Sequence, residues 1–203
     1  MANRKKSKPL DFNQTDLKLN LGCGNKKLDG YINIDYSDHC SPDYLMDLEN
    51  LPYPFKTDSV SKLHMESVIE HLPLDPKKFF PIIQELYRIC DHQATIYIEC
   101  PYPHHRWQIV DFTHQKPIHI EGIRLLSRTY CEKLVAAGAT DTPLALMFDV
   151  DFEILNYECT LDPQCRQHIT NVLGFFDESK IESYKQLFNN VGATQKITLE
   201  VLK

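Results

Sequence analysis

Residues able to do chemistry gather in two stretches of the sequence. One is a loop-rich insert, residues 102–124, holding Tyr102, His104, His105, Arg106, Trp107, Asp111, His114 and His119, which include the only tryptophan. Histidine changes charge near neutral pH and can take a proton from a hydroxyl as a bond forms there. The expected order of catalytic candidates is His114 supported by Asp111, then His104 or His105, with Tyr102 and Trp107 placed to stack on a sugar or other ring. An incidental surface loop and a metal site are the other readings of this insert. His104, His105, His114 and His119 lack compact ligand spacing, so no metal is expected.

The other stretch is LNLGCGNKKLDGYINID, Leu19 to Asp35. An apolar run breaks at Gly22-Cys23-Gly24, and a second apolar run ends in Asp35. In open α/β sheets, ligands sit beyond the carboxyl ends of the strands. Gly22 and Gly24 permit positive φ and close backbone approach, and exposed amides there can bind a carboxylate or phosphate. Asp35 can accept hydrogen bonds from two ribose hydroxyls, while Asp47 and Leu48 offer a carboxylate and an apolar wall to an adenine. Taken alone, the Gly-Cys-Gly stretch reads better as a tight structural turn than as a cofactor loop, and small-residue packing explains Cys23 better than nucleophilic chemistry does. Lys27 stands where a dinucleotide fingerprint has its third glycine, and Asp35 follows Gly24 too soon for that fingerprint's acid at ~20 residues. A nicotinamide-dependent oxidoreductase is therefore disfavoured.

These residues need strands and helices to hold them. Leu17 to Leu21, Tyr31 to Ile34, Tyr44 to Leu48, Val60 to Met65 and Ala94 to Cys100 read as strands. A helix is expected over Ser67 to Leu72, pairing Ser67 with His71 and Glu66 with Glu70 at i,i+4. Either His71 bonds backbone and Glu70 is solvated, or the pair serves a pocket. Apolar spacing predicts a helix from Phe79 to Cys90. Thr129 and Glu132 form a capping box for a helix stopping at Gly138. Phe148 to Cys159 is strand-like, Glu178 to Asn190 helical, and Lys196 to Leu202 alternates with Ile197, Leu199 and Val201 on one face. Strands alternating with helices imply an α/β sheet, and the two β-rich segments near the end suggest an antiparallel closing edge.

The 203 residues suit a single domain over 17–203, preceded by a flexible basic tail, 1–16, that contains Arg4-Lys5-Lys6-Ser7-Lys8. The net charge of −6 argues against a nucleic-acid backbone as partner. No apolar run suits a membrane span or a signal peptide, and seven scattered cysteines read as reduced thiols. A cytoplasmic location is the expectation.

The order of motifs carries more than any one of them. After the glycine loop come Asp35, Asp47-Leu48, Leu51-Pro52-Tyr53-Pro54-Phe55, Met65-Glu66-Ser67-Val68-Ile69-Glu70-His71-Leu72 and Glu85-Leu86-Tyr87-Arg88. This succession, over Leu17 to Gly138, resembles class I S-adenosylmethionine-dependent methyltransferases, in particular a compact bacterial branch with an LNLGCG…GYINID…EHL layout. The resemblance implies a Rossmann-like, mostly parallel sheet with helices on both faces and an antiparallel edge strand near the C-terminus. It implies S-adenosyl-L-methionine as cofactor, wrapped at its methionine end by Gly22, Cys23, Gly24 and Asn25. Asp35 would hold the ribose, Asp47 and Leu48 the adenine, and Met65, Glu66 and His71 would complete the pocket. The acceptor would be a small molecule or glycan, such as a sugar hydroxyl; some of this branch carry a similar Asp-x-x-His element, here Asp111 to His114. Two departures stand out: Asn20 replaces a frequent acid, and the crossover after Gly24 leaves room for only a truncated first helix. A non-catalytic cofactor-binding or partner subunit of the same fold is the alternative. Glu66-Ser67-Val68-Ile69 stands where amino-methylating DNA enzymes have Asn/Asp-Pro-Pro-Tyr/Phe, so nucleic acid is not the expected substrate.

Overall fold

A computed structural model describes residues 11–203; the basic run Arg4 to Lys8 lies outside the described residues. Phe12, within the expected tail, packs edge-on against Tyr44 and Phe55, at centroid distances of 5.0 and 5.5 Å.

Seven strands form one sheet: β1 Leu17–Leu21, β2 Ile32–Asp35, β3 Tyr44–Leu45, β4 Val60–Glu66, β5 Cys90–Pro101, β6 Phe152–Leu161 and β7 Gly192–Val201, in the order β3-β2-β1-β4-β5-β7-β6. The first five run parallel. β7 is antiparallel to both β5 and β6, with Ile98 and Tyr157 opposite Ile197. The chain steps one way from β1 to β2 and β3, then returns to lay β4 on the other side of β1. The carboxyl ends of β1 and β4 therefore flank the point where strand order reverses, the usual place for a ligand in such sheets.

Alternation along the strands separates two faces. Leu63 and Met65 of β4, Ile96 and Ile98 of β5, and Leu199 of β7 meet Ile83 and Leu86 of α1 (Pro76–Ile89) and Ile123 of α3 (Ile120–Arg124) in one apolar interior. Burying that stripe explains why the Phe79-to-Cys90 periodicity folds as a helix; Asp75 caps it by accepting the Lys77 amide at 2.9 Å, with Pro76 in the first turn. The opposite face carries Lys62, His64 and Glu66 of β4 beside Tyr97, Glu99, Lys196 and Thr198, all exposed or half-buried. The crossover from β1 to β2 contributes no helix there, because residues 22–31 contain only turns.

Two asparagines take over that helix's work. Asn20 Nδ2 donates to the Lys26 carbonyl and to Asn33 Oδ1, both at 2.9 Å, and the same Asn33 oxygen accepts the Leu28 amide at 2.8 Å. Both side chains are buried. Asn20 is thus occupied in holding the loop, which accounts physically for an amide where an acid was expected.

Other elements differ from the sequence expectation. The helix expected over Ser67 to Leu72 is a single 3-10 turn, Ile69–His71, stopped by Pro73, so the i,i+4 pairings do not form. The strand expected from Tyr44 to Leu48 ends at Leu45. Helix α4 (Arg128–Ala136) is capped by Ser127, which accepts the Tyr130 amide at 3.0 Å; Thr129 is inside the helix. Phe148, expected to begin a strand, ends the short helix α5 (Leu144–Phe148), and the strand itself starts at Phe152. Within the insert lies α2 (Arg106–Val110), and beyond β6 come α6 (Pro163–Leu173) and α7 (Ile181–Leu187). No helix among the described residues is long and apolar enough to cross a membrane.

Candidate active site

The glycine loop leaves the end of β1 at Gly22, with φ +60°. A Cβ there would lie 2.5 Å from Val68 Cγ2, so glycine serves both the turn and the close approach of the chain after β4. Gly24, at φ +47°, has nothing within 4 Å of a built Cβ and opens to solvent. Its amide donates to Asp35 Oδ2 at 2.8 Å, while Ser37 donates to Asp35 Oδ1 at 2.9 Å. Asp35 therefore clamps the loop onto the end of β2, and each carboxylate oxygen keeps a further lone pair. Cys23 is buried against this clamp; burial, and then the Asp35 charge, push its thiol pKa up, which leaves it inert.

A cleft of about 480 Å³ opens above the carboxyl ends of β1, β2 and β3. Gly22, Asp35, Asp47 and Leu48 line it, as does His71. A second hollow of about 320 Å³ adjoins it through Gly22 and Ser67, lined by Cys23, Gly24, Asn25 and Glu66 among others. Glu66 is ion-paired there with Lys26. Met65 belongs instead to the apolar interior, 1% exposed, and supports the cleft from beneath.

The insert returns to this cleft at Thr113 and Gln115. His71 and His114 meet edge to face, with ring centroids 4.6 Å apart. His71 Nδ1 lies 3.3 Å from the Thr113 carbonyl and 3.0 Å from Thr113 Oγ1, whose hydrogen goes to Asp111 Oδ1 at 2.6 Å. His114 Nδ1 lies 3.1 Å from the Gln108 carbonyl. A carbonyl only accepts, so Nδ1 carries the hydrogen in each ring and Nε2 keeps a lone pair. Burial, and then the neighbouring His114, lower the His71 pKa. Beneath both rings sits Glu70, fully buried, with neither carboxylate oxygen in a well-formed hydrogen bond. Burial pushes its pKa up to about 7.

The other predicted catalytic residues sit differently. Asp111 Oδ2 is 3.8 Å from His114 Nε2, beyond hydrogen-bond reach, and its closer partner is Thr113. His105 is fully buried; its Nε2 bonds Asp162 Oδ2 at 2.9 Å and its Nδ1 accepts the Trp107 amide at 3.2 Å. That pair pins the insert to the corner between β6 and α6 and leaves no free nitrogen for substrate. His104 is exposed beside Tyr102 and lines neither hollow. Metal ligation was set aside on spacing within the insert, but Glu70 and His71 come from another segment, and tertiary folding brings them to His114.

Two residues lining the cleft carry no motif in the sequence. Tyr36, 77% exposed, and Met46 line the cleft beside Asp35 and Asp47. Ser67 turns the chain at φ +54°, a conformation that a residue with a Cβ adopts under strain, as functional turns often do. Glu70 is not solvated, the first of its two sequence readings: it lies within Val68-Ile69-Glu70-His71-Leu72, where Val68, Ile69 and Leu72 are buried, and is itself 0% exposed.

The strand order and a ligand cleft at its reversal define a Rossmann-like α/β fold with an antiparallel β7. Solved structures share it. An S-adenosylmethionine-dependent methyltransferase from Archaeoglobus fulgidus matches with a TM-score of 0.51 at 18% identity, over 93% of this chain and 87% of its own. One from Methanosarcina mazei matches at 0.52 and 14%, over 93% of each chain. The Haemonchus contortus phosphoethanolamine N-methyltransferase 2, in complex with phosphomonomethylethanolamine and S-adenosylhomocysteine, matches at 0.52 and 14%, over 94% of this chain and 50% of that one. No protein-family model and no curated protein matches the sequence. At these identities the likeness is one of fold.

Proposed function

We propose that this protein binds S-adenosyl-L-methionine and transfers its methyl group to a small-molecule or glycan acceptor, with a hydroxyl as the acceptor group. The observation that carries this reading is the cleft itself: Gly22, Asp35, Asp47 and Leu48 converge on one hollow at the strand-order reversal. Asp35 keeps lone pairs for ribose hydroxyls, Leu48 offers an apolar wall, and the adjoining hollow at Gly24 and Asn25 suits the methionine end. The solved structures of the same fold, described by their names as S-adenosylmethionine-dependent, support it.

Methyl transfer asks for in-line placement of acceptor and sulfonium, and positioning supplies much of the rate. His71 and Thr113 line the cleft on the acceptor side, and His114 packs behind them against the His71 ring. A hydroxyl held there would lose its proton to a ring Nε2, with His114 the first choice because the Gln108 carbonyl fixes its tautomer. Transfer of labelled methyl groups to a panel of hydroxyl and sugar acceptors tests the reading. Tight cofactor binding without transfer to any acceptor would favour a non-catalytic binding protein.

A further inference from the structure

Glu70, His71 and His114 each offer a ligand atom within 4.8 Å of those of the other two. Three observations give that cluster a purpose. Glu70 is 0% exposed and neither oxygen has a well-formed hydrogen bond, with only the Val68 and Glu70 amides nearby, an arrangement whose cost is justified when something absent from the protein chain satisfies it. Both imidazoles are bonded through Nδ1, to the Thr113 and Gln108 carbonyls, which leaves Nε2 as the lone-pair atom; metal-ligating histidines are oriented in this way. The cluster also opens on one side only, because His71 lines the cleft while Glu70 closes the interior side.

We propose that Glu70, His71 and His114 bind a divalent first-row transition-metal ion, Zn²⁺ being the simplest, on the acceptor side of the cleft. Two imidazoles and one carboxylate are a donor set that such ions accept, with a further position open to a small ligand. Ion–ligand distances of about 2.0–2.2 Å require the three donor atoms to draw together by no more than about 1.4 Å, which side-chain rotation supplies. The ion would meet the unpartnered carboxylate, and coordination through Nε2 of each ring would leave the Nδ1 hydrogen bonds to Thr113 and Gln108 intact. Within the function proposed above, it deepens the reading: a hydroxyl on the open position would have its pKa lowered by the ion and release its proton to water in the cleft as its oxygen takes the methyl group and S-adenosylhomocysteine leaves, with His114 a ligand and not the base. Ion binding itself rests on the three side chains and not on the cofactor.

The test uses the full chain stripped with a chelator and titrated with Co²⁺, whose visible absorption reports imidazole and carboxylate ligation, followed by displacement with Zn²⁺. The expected result is one ion per chain, with affinity weakened by more than about 100-fold in Glu70→Gln and in His114→Ala. The S-adenosylhomocysteine thermal shift should survive in both variants and show that they fold; His114→Gln replaces His114→Ala should the latter unfold. No saturable Co²⁺ binding, or binding untouched by both substitutions, overturns the site. Co²⁺ bound through these residues in a protein that ignores S-adenosylhomocysteine would uphold the ion site and defeat the cofactor reading instead.

Discussion

The amide of Gly24 donates to Asp35 Oδ2 at 2.8 Å, so the acid that ends β2 holds the loop that ends β1. With Ser37 bonded to the other oxygen, the carboxylate satisfies two amides that an amide side chain cannot both satisfy. Asp35→Asn should cost about 2 kcal/mol of stability and weaken S-adenosylhomocysteine by more than about 10-fold, or about 1.4 kcal/mol. Denaturant titration and calorimetry would measure the two effects separately.

Asn33 should matter as much as any glycine, although it touches no ligand. Its Oδ1 accepts from both Asn20 and Leu28, so Asn33→Ala orphans buried donors and should destabilise by about 2–3 kcal/mol. Amide exchange should quicken across residues 22–31, where no helix protects the backbone.

Gly22→Ala is expected to destabilise by about 2 kcal/mol, since its Cβ meets Val68 and its φ is positive. The double variant Gly22→Ala with Val68→Ala should recover the steric share and not the backbone share. Equal instability of single and double variants would show that the Val68 contact is not the constraint.

Acid stability should depend on Glu85. Its hydrogen bonds from Arg88, at 2.6 and 2.8 Å, lower its pKa against the opposing effect of burial, and the Tyr53 amide also donates to it at 2.6 Å. A carboxyl whose folded pKa lies below the unfolded value stabilises above that unfolded value, about 4.3, and loses the contribution as pH falls through the folded one. Glu85→Gln should therefore cost about 2 kcal/mol at pH 7, with the gap to the parent closing in acid. A gap independent of pH would count against the ion pair.

Much of the sheet was legible because its strands are short apolar runs closed by glycine, proline or acid. β1 was read to the residue, and Asp35 was legible because it ends β2; Asp47 and Leu48 lie beyond the end of β3 at Leu45, and the order of motifs rather than a strand end pointed to them. The acceptor side was less legible. His105 and His114 look alike in sequence, and only Asp162, far along the chain, makes one structural. Glu70 drew its burial from the return of the insert, where the Gln115 amide donates to the Glu70 carbonyl at 2.7 Å, a contact no local pattern announces. The Ser67 to Leu72 stretch misled because its apolar spacing suits a helix, while Pro73 allows just one turn before the chain departs.

Paired thermal-shift measurements with S-adenosylhomocysteine and NAD decide whether the cleft takes the proposed cofactor. A ligand at 100 times its Kd stabilises by ~2.7 kcal/mol, a shift easily seen. S-adenosylhomocysteine should raise Tm, Asp35→Asn should diminish that rise, and NAD should leave Tm unchanged. Stabilisation by NAD, with none from S-adenosylhomocysteine, would contradict the account.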